Sequence, residues 1–209
     1  MALPEPAEVF VDPYVDPATG ILRNRVGATA QVILDAHEAE LTALAAIELA
    51  EHPVKPTGDL RQLRAIHKRL LHDVYDWAGE LRTVDLRKGG SPAAEFFMPV
   101  SRLESGAGFA FQELAEEHFL RGLEPEQFAR RSAHHYDQVN YLHPFREGNG
   151  RTQRIFWTQI AQRAGYELDW RGISGAANDQ ASREAMEKQD LDGLREIFRA
   201  IAKPIGATK

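Results

Sequence analysis

The stretch His143-Pro144-Phe145-Arg146-Glu147-Gly148-Asn149-Gly150-Arg151-Thr152-Gln153-Arg154 decides the reading of this chain. An imidazole, a carboxylate, two glycines, two side-chain amides and three arginines fall within it. Packing alone rarely gathers so many unlike polar groups, because each must find a partner or water when buried. The glycines permit a tight loop whose N–H groups turn inward around an anion, and the run from Gly150 to Ala164 reads as a helix. An anion at that helix start would meet unpaired N–H donors and the positive end of the helix dipole.

Each residue of the loop suggests a role. The imidazole of His143 has an ordinary pKa of about 6.5 and suits a general base taking a proton from an incoming hydroxyl. Glu147 offers hard oxygens to Mg²⁺, the ion that accompanies nucleoside triphosphates. Asn149 can donate through its amide. Arg151 and Arg154, three residues apart on the predicted helix, are expected on one face, where both guanidiniums can grip phosphate oxygens. The implied chemistry is nucleotidyl or phosphoryl transfer by positioning and charge stabilisation. Glu-Gly-Asn-Gly is also a turn signal, but a turn needs neither the flanking histidine nor the arginines.

At these residues the chain resembles the Fic family, whose signature His-x-Phe-x-Asp/Glu-Gly-Asn-Gly-Arg-x-x-Arg is matched by His143, Phe145, Glu147, Gly148, Asn149, Gly150, Arg151 and Arg154. Asp59-Leu60-Arg61 through Trp77-Ala78-Gly79-Glu80-Leu81-Arg82, Leu120-Arg121-Gly122-Leu123 and Ala164-Gly165-Tyr166 carry the likeness outward, over residues 28–170. The resemblance implies a mainly α fold, a Fic-type helical bundle with a short β-hairpin flap beside the active-site loop. It also implies transfer of AMP from ATP to a Ser, Thr or Tyr hydroxyl of a protein. In that reading His143 is the base, Glu147 holds Mg²⁺, Gly148, Asn149, Gly150 and Arg151 hold the phosphates, Arg154 holds the γ-phosphate, and Lys88 and Gly89 of the flap lie near the nucleotide. Gly150 stands where the related Doc branch has Lys, and Gly148 where a phosphocholine-transferring relative has Ala, so AMP is the expected group.

Many family members silence themselves with a helix reading Ser/Thr-x-x-x-Glu-Gly/Asn. The nearest string here, Ser91-Pro92-Ala93-Ala94-Glu95, is followed by Phe96 and falls in the expected flap. The resemblance therefore implies a separate antitoxin-like chain presenting a Glu to Arg154, with this chain as the toxin of the pair. By resemblance, the ATPase subunits of DNA gyrase and topoisomerase IV are the first targets to consider.

Outward from the loop, residues 1–27, with Pro4, Pro6, Pro13 and Pro17, read as an irregular arm pinned by Phe10, Tyr14, Ile21 and Leu22. Apolar spacing predicts helices from Thr29 to about Glu51, from Asp59 through Val74, Val100 to Leu120, Pro125 to Leu142, Gly150 to Ala164, Ser182 to Lys188 and Leu191 to Ile201. Leu81 to Leu86 alternates at period two and reads as a strand; Gly89-Gly90-Ser91-Pro92 turns it toward Phe96-Phe97-Met98, giving a flap at about 82–98. The free edge of such a flap can register an extended target segment. The expected organisation is one domain over 28–203, with the loop at 143–151 and a tail at 204–209.

The composition narrows the class. A chain of 209 residues with 43% hydrophobic content can bury a core, and its net charge of −6 gives no basic footprint for nucleic acid. Cysteine is absent, which removes disulfides and thiolate metal sites and fits a reducing cytosol. No apolar run spans a membrane and no basic-then-apolar signal opens the sequence, so a cytoplasmic protein is expected. His118 with His134-His135 lacks the spacing of a catalytic zinc motif, Glu116-Glu117 reads as solvated surface, and Trp77, Trp157 and Trp170 read as core anchors.

Overall fold

The computed structural model describes residues 11–88 and 95–206. Seven α-helices make up most of these residues: α1 (Gln31–Glu51), α2 (Leu60–Leu71), α3 (Leu103–Glu116), α4 (Pro125–Leu142), α5 (Asn149–Ala164), α6 (Gly175–Lys188) and α7 (Asp192–Ile201). The expected mainly α architecture is therefore what the chain adopts.

Helix α4 occupies the middle, packed against α3, α5, α6 and α7, while α2 bridges α1 to α5. Its sequence explains the position. Phe128, Ala129, Ser132, Ala133, Tyr136, Val139 and Leu142 recur at helical spacing and are all buried, so one broad stripe meets several neighbours. Pro125 sits at the start, where its missing N–H costs nothing. On α7, Leu194, Ile197, Phe198 and Ile201 form the inward stripe. Trp157 of α5 is fully buried, and Trp77 and Trp170 pack against the core as expected.

Asp59 caps α2 by accepting from the N–H groups of Arg61 (3.0 Å) and Gln62 (3.3 Å), as the Thr57-Gly58-Asp59 signal predicts. Helix α6 begins seven residues before the predicted Ser182, behind a Ser174 cap whose Oγ accepts from Ala177 N–H at 3.1 Å. The predicted helix over Val100–Leu120 divides into a 3₁₀ turn at Val100–Arg102, α3, and a turn at His118–Leu120 in which all three residues have positive φ. A two-stranded antiparallel ladder joins β1 (Tyr166–Leu168) to β2 (Ala202–Pro204), and its pairing of Tyr166 with Pro204 runs one residue past the expected end of the domain.

The strand expected over Leu81–Leu86 is corrected. Burial does alternate there, with Arg82 and Val84 inside and Thr83 and Asp85 outside, but no ladder forms along it. Among the described residues the ribbon consists of an antiparallel bridge between Arg87 and Phe96, with Phe97 N–H donating to Leu86 O (3.0 Å) and Lys88 N–H to Glu95 O (3.1 Å). The predicted turn at Gly89–Pro92 lies outside the described residues. Of the arm, Tyr14 and Ile21 are buried and Val15 bridges Leu22; Phe10 lies outside the described residues.

Candidate active site

Helix α4 ends by turning left-handed at His143 (φ 42°, ψ 59°), and this cap delivers the imidazole to the loop. A non-glycine residue in that region is strained, so surrounding contacts must hold it. Arg82 supplies several. Its fully buried guanidinium donates to His143 O (2.8 Å), Val84 O (2.7 Å) and Met98 O, and more weakly to Leu142 O (3.4 Å). One side chain thus caps α4 and ties both ends of the flap to it. The ring of His143 stacks on Phe97 at 3.8 Å between centroids. Burial first, then Arg82 and Lys88, lowers its pKa to about 3, so the imidazole is neutral at physiological pH.

The loop is braced from beneath by His67 of α2. Gly79 N–H donates to His67 Nδ1 (2.7 Å), which leaves Nε2–H to donate to Glu147 O (2.9 Å), while the ring stacks on Phe145 at 3.8 Å. Burial, chiefly, pushes its pKa down to about 4. Asn149 spends both ends of its amide on Phe145, accepting from its N–H at 2.9 Å and donating to its C=O at 2.8 Å. Its side chain therefore shapes the loop from within. Gly148 has φ +77°, and a Cβ there would overlap Leu71. Helix α5 starts at Asn149, one residue before the prediction, and no side chain caps it, so its first-turn amides stay available.

Arg151 and Arg154 lie three residues apart on α5, but their guanidiniums do not converge. Three residues of helix separate their Cα atoms by only part of a turn, but long side chains diverge toward different partners. Arg151 turns to α1, donating to Glu38 and weakly to Thr42 Oγ1 (3.5 Å), and lies 3.4 Å from Glu147 Oε1. Arg154 runs toward Trp170, 5.9 Å from the ring centroid, with its Nε buried and without a hydrogen-bond partner. Lys88 is set in the cleft with Nζ buried and unbonded, and burial followed by Arg183 lowers its pKa to about 8. Gly89, and Ser91 to Ala94 of the string tested for self-inhibition, lie outside the described residues.

Of the predicted residues, His143 and Lys88 line a cleft of about 1180 Å³ with Thr83, Phe97, Arg146 and, from α6, Ser182, among others, whereas Glu147, Gly148, Asn149, Gly150, Arg151 and Arg154 do not line it. The arm closes its rim: Asp12 accepts from Arg146 Nε (2.9 Å) and Nη2 (2.8 Å), and Tyr14 OH accepts from Thr83 N–H (3.0 Å). The sequence reading missed Arg82, His67, Glu38 and Asp12 as supports of the loop. An inward-phase arginine in an alternating stretch was the signal for Arg82. His134 and His135 gather with Glu113, within 4.8 Å, and Arg131 already pairs with Glu113 (3.0 Å). A cation would meet that guanidinium there. Glu117 is likewise paired, with Arg131, whereas the reading had placed Glu116-Glu117 on solvated surface.

The model of the Fic/DOC family matches residues 57–161. The probable protein adenylyltransferase Fic of Escherichia coli strain K12 is 39% identical over 198 residues, covering 95% of this chain and 96% of that protein. The protein adenylyltransferase VbhT of Bartonella schoenbuchensis is 40% identical over 181 residues, 87% of this chain and 35% of VbhT. Among solved structures, BepC of Bartonella tribocorum, a VirB-translocated effector crystallised with bound AMPPNP, superposes with a TM-score of 0.84 at 25% identity, covering 91% of this chain and 96% of that one. With the motif, the fold and these relatives in agreement, this chain belongs to the Fic/DOC family, and it is an enzyme of the nucleotidyltransferase kind.

Proposed function

We propose that this protein moves AMP from ATP to a Ser, Thr or Tyr hydroxyl of a target protein. The observation that carries the reading is the convergence at one loop of a neutral imidazole (His143), a part-exposed carboxylate (Glu147) and an uncapped helix start (α5). The names of its near full-length relatives support adenylyl transfer in particular. In the reaction the target oxygen attacks the α-phosphorus, the bond from that phosphorus to the bridging oxygen breaks, and pyrophosphate leaves. His143 takes the hydroxyl proton. Nucleotide phosphates beside the ring favour its protonated form and raise its pKa from the low value of the free site toward the working range. The amides at the start of α5, with Arg151 and Arg154, stabilise the phosphate charge. Lys88 faces the same cleft from the flap.

The donor set suits Mg²⁺. Glu147 is 44% exposed, and its Oε1, which accepts from Gly148 N–H at 2.8 Å, is aimed by the loop. A magnesium ion normally takes one or two carboxylates, phosphate oxygens and several waters, which one accessible Glu beside a phosphate cradle can satisfy. When bound, it would neutralise phosphate charge as the leaving group departs.

The finer expectation is a cytoplasmic toxin held by a separate antitoxin-like chain whose Glu pairs with Arg154. The unbonded Nε of Arg154 supports it, and gyrase and topoisomerase IV ATPase subunits are the first targets to assay. The test compares label transfer from α-labelled and γ-labelled ATP with Mg²⁺ into a bacterial lysate, with and without His143→Ala. Transfer of the α label alone, lost in the variant while ATP binding persists, is the expected result. Transfer of the γ label would make the protein a kinase, and ATP binding without transfer to any target would make it a binding module.

A further inference from the structure

Arg151 has two carboxylates within reach, and the structure divides it unequally between them. Glu38 of α1, 13% exposed at its side chain, accepts from Arg151 Nη2 at short range; Glu147 Oε1 accepts from the same nitrogen more weakly, at 3.4 Å. Glu38 is itself held. Tyr75, 1% exposed, donates its hydroxyl to the other oxygen of Glu38, and its ring stacks on Trp77 at 4.4 Å. Burial and Glu38 push the Tyr75 hydroxyl well above its ordinary pKa, so it remains a donor. Thr42, one turn along α1 and 5% exposed, spends its proton on Glu38 O (2.6 Å), which leaves a lone pair facing Arg151 Nη1 at 3.5 Å. These groups come from α1 and the segment after α2, and two of the three precede residues 57–161, where the family match lies.

The arrangement has a consequence for Glu147. Arg151, in the first turn of α5, follows it by four residues, and Glu147, just before the Gly148 cap, is already within reach of its guanidinium. A guanidinium free to turn would form a two-pronged pair with Glu147 and supply fixed positive charge where a divalent cation is wanted. A buried, pre-oriented Glu38 competes for the same nitrogen and wins on geometry. We propose that Glu38, with Tyr75 and Thr42, forms a positioning site that holds Arg151 against α1, limits its pairing with Glu147 to one long contact, and thereby leaves the rest of that carboxylate to the divalent cation of the nucleotide complex. This inference rests on the reading of Glu147 given above.

The test is calorimetric binding of a non-hydrolysable ATP analogue with and without Mg²⁺ to the wild type, Glu38→Gln, Tyr75→Phe and Glu147→Gln. In Glu38→Gln the shape and an acceptor for Tyr75 are kept but the charge is lost. The Mg²⁺-dependent gain in affinity should then fall about tenfold, the scale on which outer groups tune a metal site. Binding without Mg²⁺ should stay within about twofold, because Arg151 still reaches the phosphates. Tyr75→Phe should lower the gain in the same direction by a smaller factor, which keeps the inference testable if Glu38→Gln folds poorly, and Glu38→Asp should restore part of it. A merely structural role would lower binding equally with and without Mg²⁺, or only the melting temperature, and that result overturns the proposal. If the wild type gains nothing from Mg²⁺, or Glu147→Gln leaves the gain intact, the reading of Glu147 itself fails. If Glu147→Gln abolishes the gain and both Glu38→Gln and Tyr75→Phe leave it untouched, only the positioning role fails.

Discussion

Replacing Arg82 by methionine should loosen the active site and the fold together, and the size of the effect follows from its bonds. The guanidinium makes three short charge-assisted hydrogen bonds, to His143 O, Val84 O and Met98 O, and its side chain is fully buried. Such bonds contribute about 1.5–3 kcal/mol each. Against this stands the cost of burying the cation, several kcal/mol, which Asp85 at 3.7 Å and half exposed offsets only in part. Methionine removes both terms and leaves carbonyls of the α4 end without donors, for a net loss of about 3 kcal/mol. In a chain of this size that corresponds to a melting temperature lower by about 6–12 °C, measured by calorimetry at pH 7.5. A second readout is specific to the site. Arg82 is one of the charges that lower the His143 pKa, after burial, so the pKa of that imidazole, followed by NMR titration, should rise in the variant. A melting temperature within about 2 °C of wild type, with an unchanged His143 titration, would refute the view that one arginine ties the flap to the base.

Other outcomes follow from neighbouring residues. His67 is fully buried and its pKa falls from 6.5 to about 4; the unfolded chain takes up its proton first, so the stability it contributes is complete above pH 6.5 and is lost as pH falls toward 4. That loss amounts to about 3 kcal/mol, and urea unfolding at pH 7.5 and pH 4.5 should show a smaller difference in His67→Gln than in wild type. Gly148→Ala combines a left-handed φ with overlap on Leu71, so it should cost about 2–4 kcal/mol in thermal unfolding and weaken binding of the ATP analogue. Asp12→Ala frees Arg146 from a pair in which both side chains are mostly buried; a loss of about 1 kcal/mol, with faster amide exchange in the loop at 145–148, is the expected result.

The candidate loop stands out in the sequence because the chemistry read from it is local. A base, a carboxylate and the start of a helix must meet within a few ångströms, and the shortest way is to string them along one turn of chain. Helix α4 was legible to the residue for a related reason: an apolar stripe long enough to outvote its polar residues, with proline at one end and the loop at the other. The supports of the loop are different in kind. Asp12 is 134 residues from Arg146 and Glu38 is 113 from Arg151, and no spacing rule joins residues so far apart. The first half of α6 was missed because Gly175, Ala176, Ala177 and Asn178 carry little periodic signal, though Ser174 was an available cap. The β1–β2 ladder pairs three-residue strands across an intervening pair of helices, which leaves no mark in either strand alone.

Arg82 shows why such supports still leave a trace. In an alternating stretch read as a strand, a charged residue in the inward phase either contradicts the strand or marks a buried cation with work to do. Here both hold. Guanidinium N–H groups, rather than a partner strand, satisfy the carbonyls of the flap root, so the ladder does not form where the alternation predicts it. The same cation bears on the loop, because it donates to His143 O and, after burial, is the next cause lowering the pKa of that imidazole. Glu38 and Thr42, a polar pair one turn apart on the otherwise alanine-rich α1, leave the same kind of trace, and both turn inward to Arg151. In a helix or strand whose other inward positions are apolar, a polar side chain in that phase marks a contact with a distant part of the site.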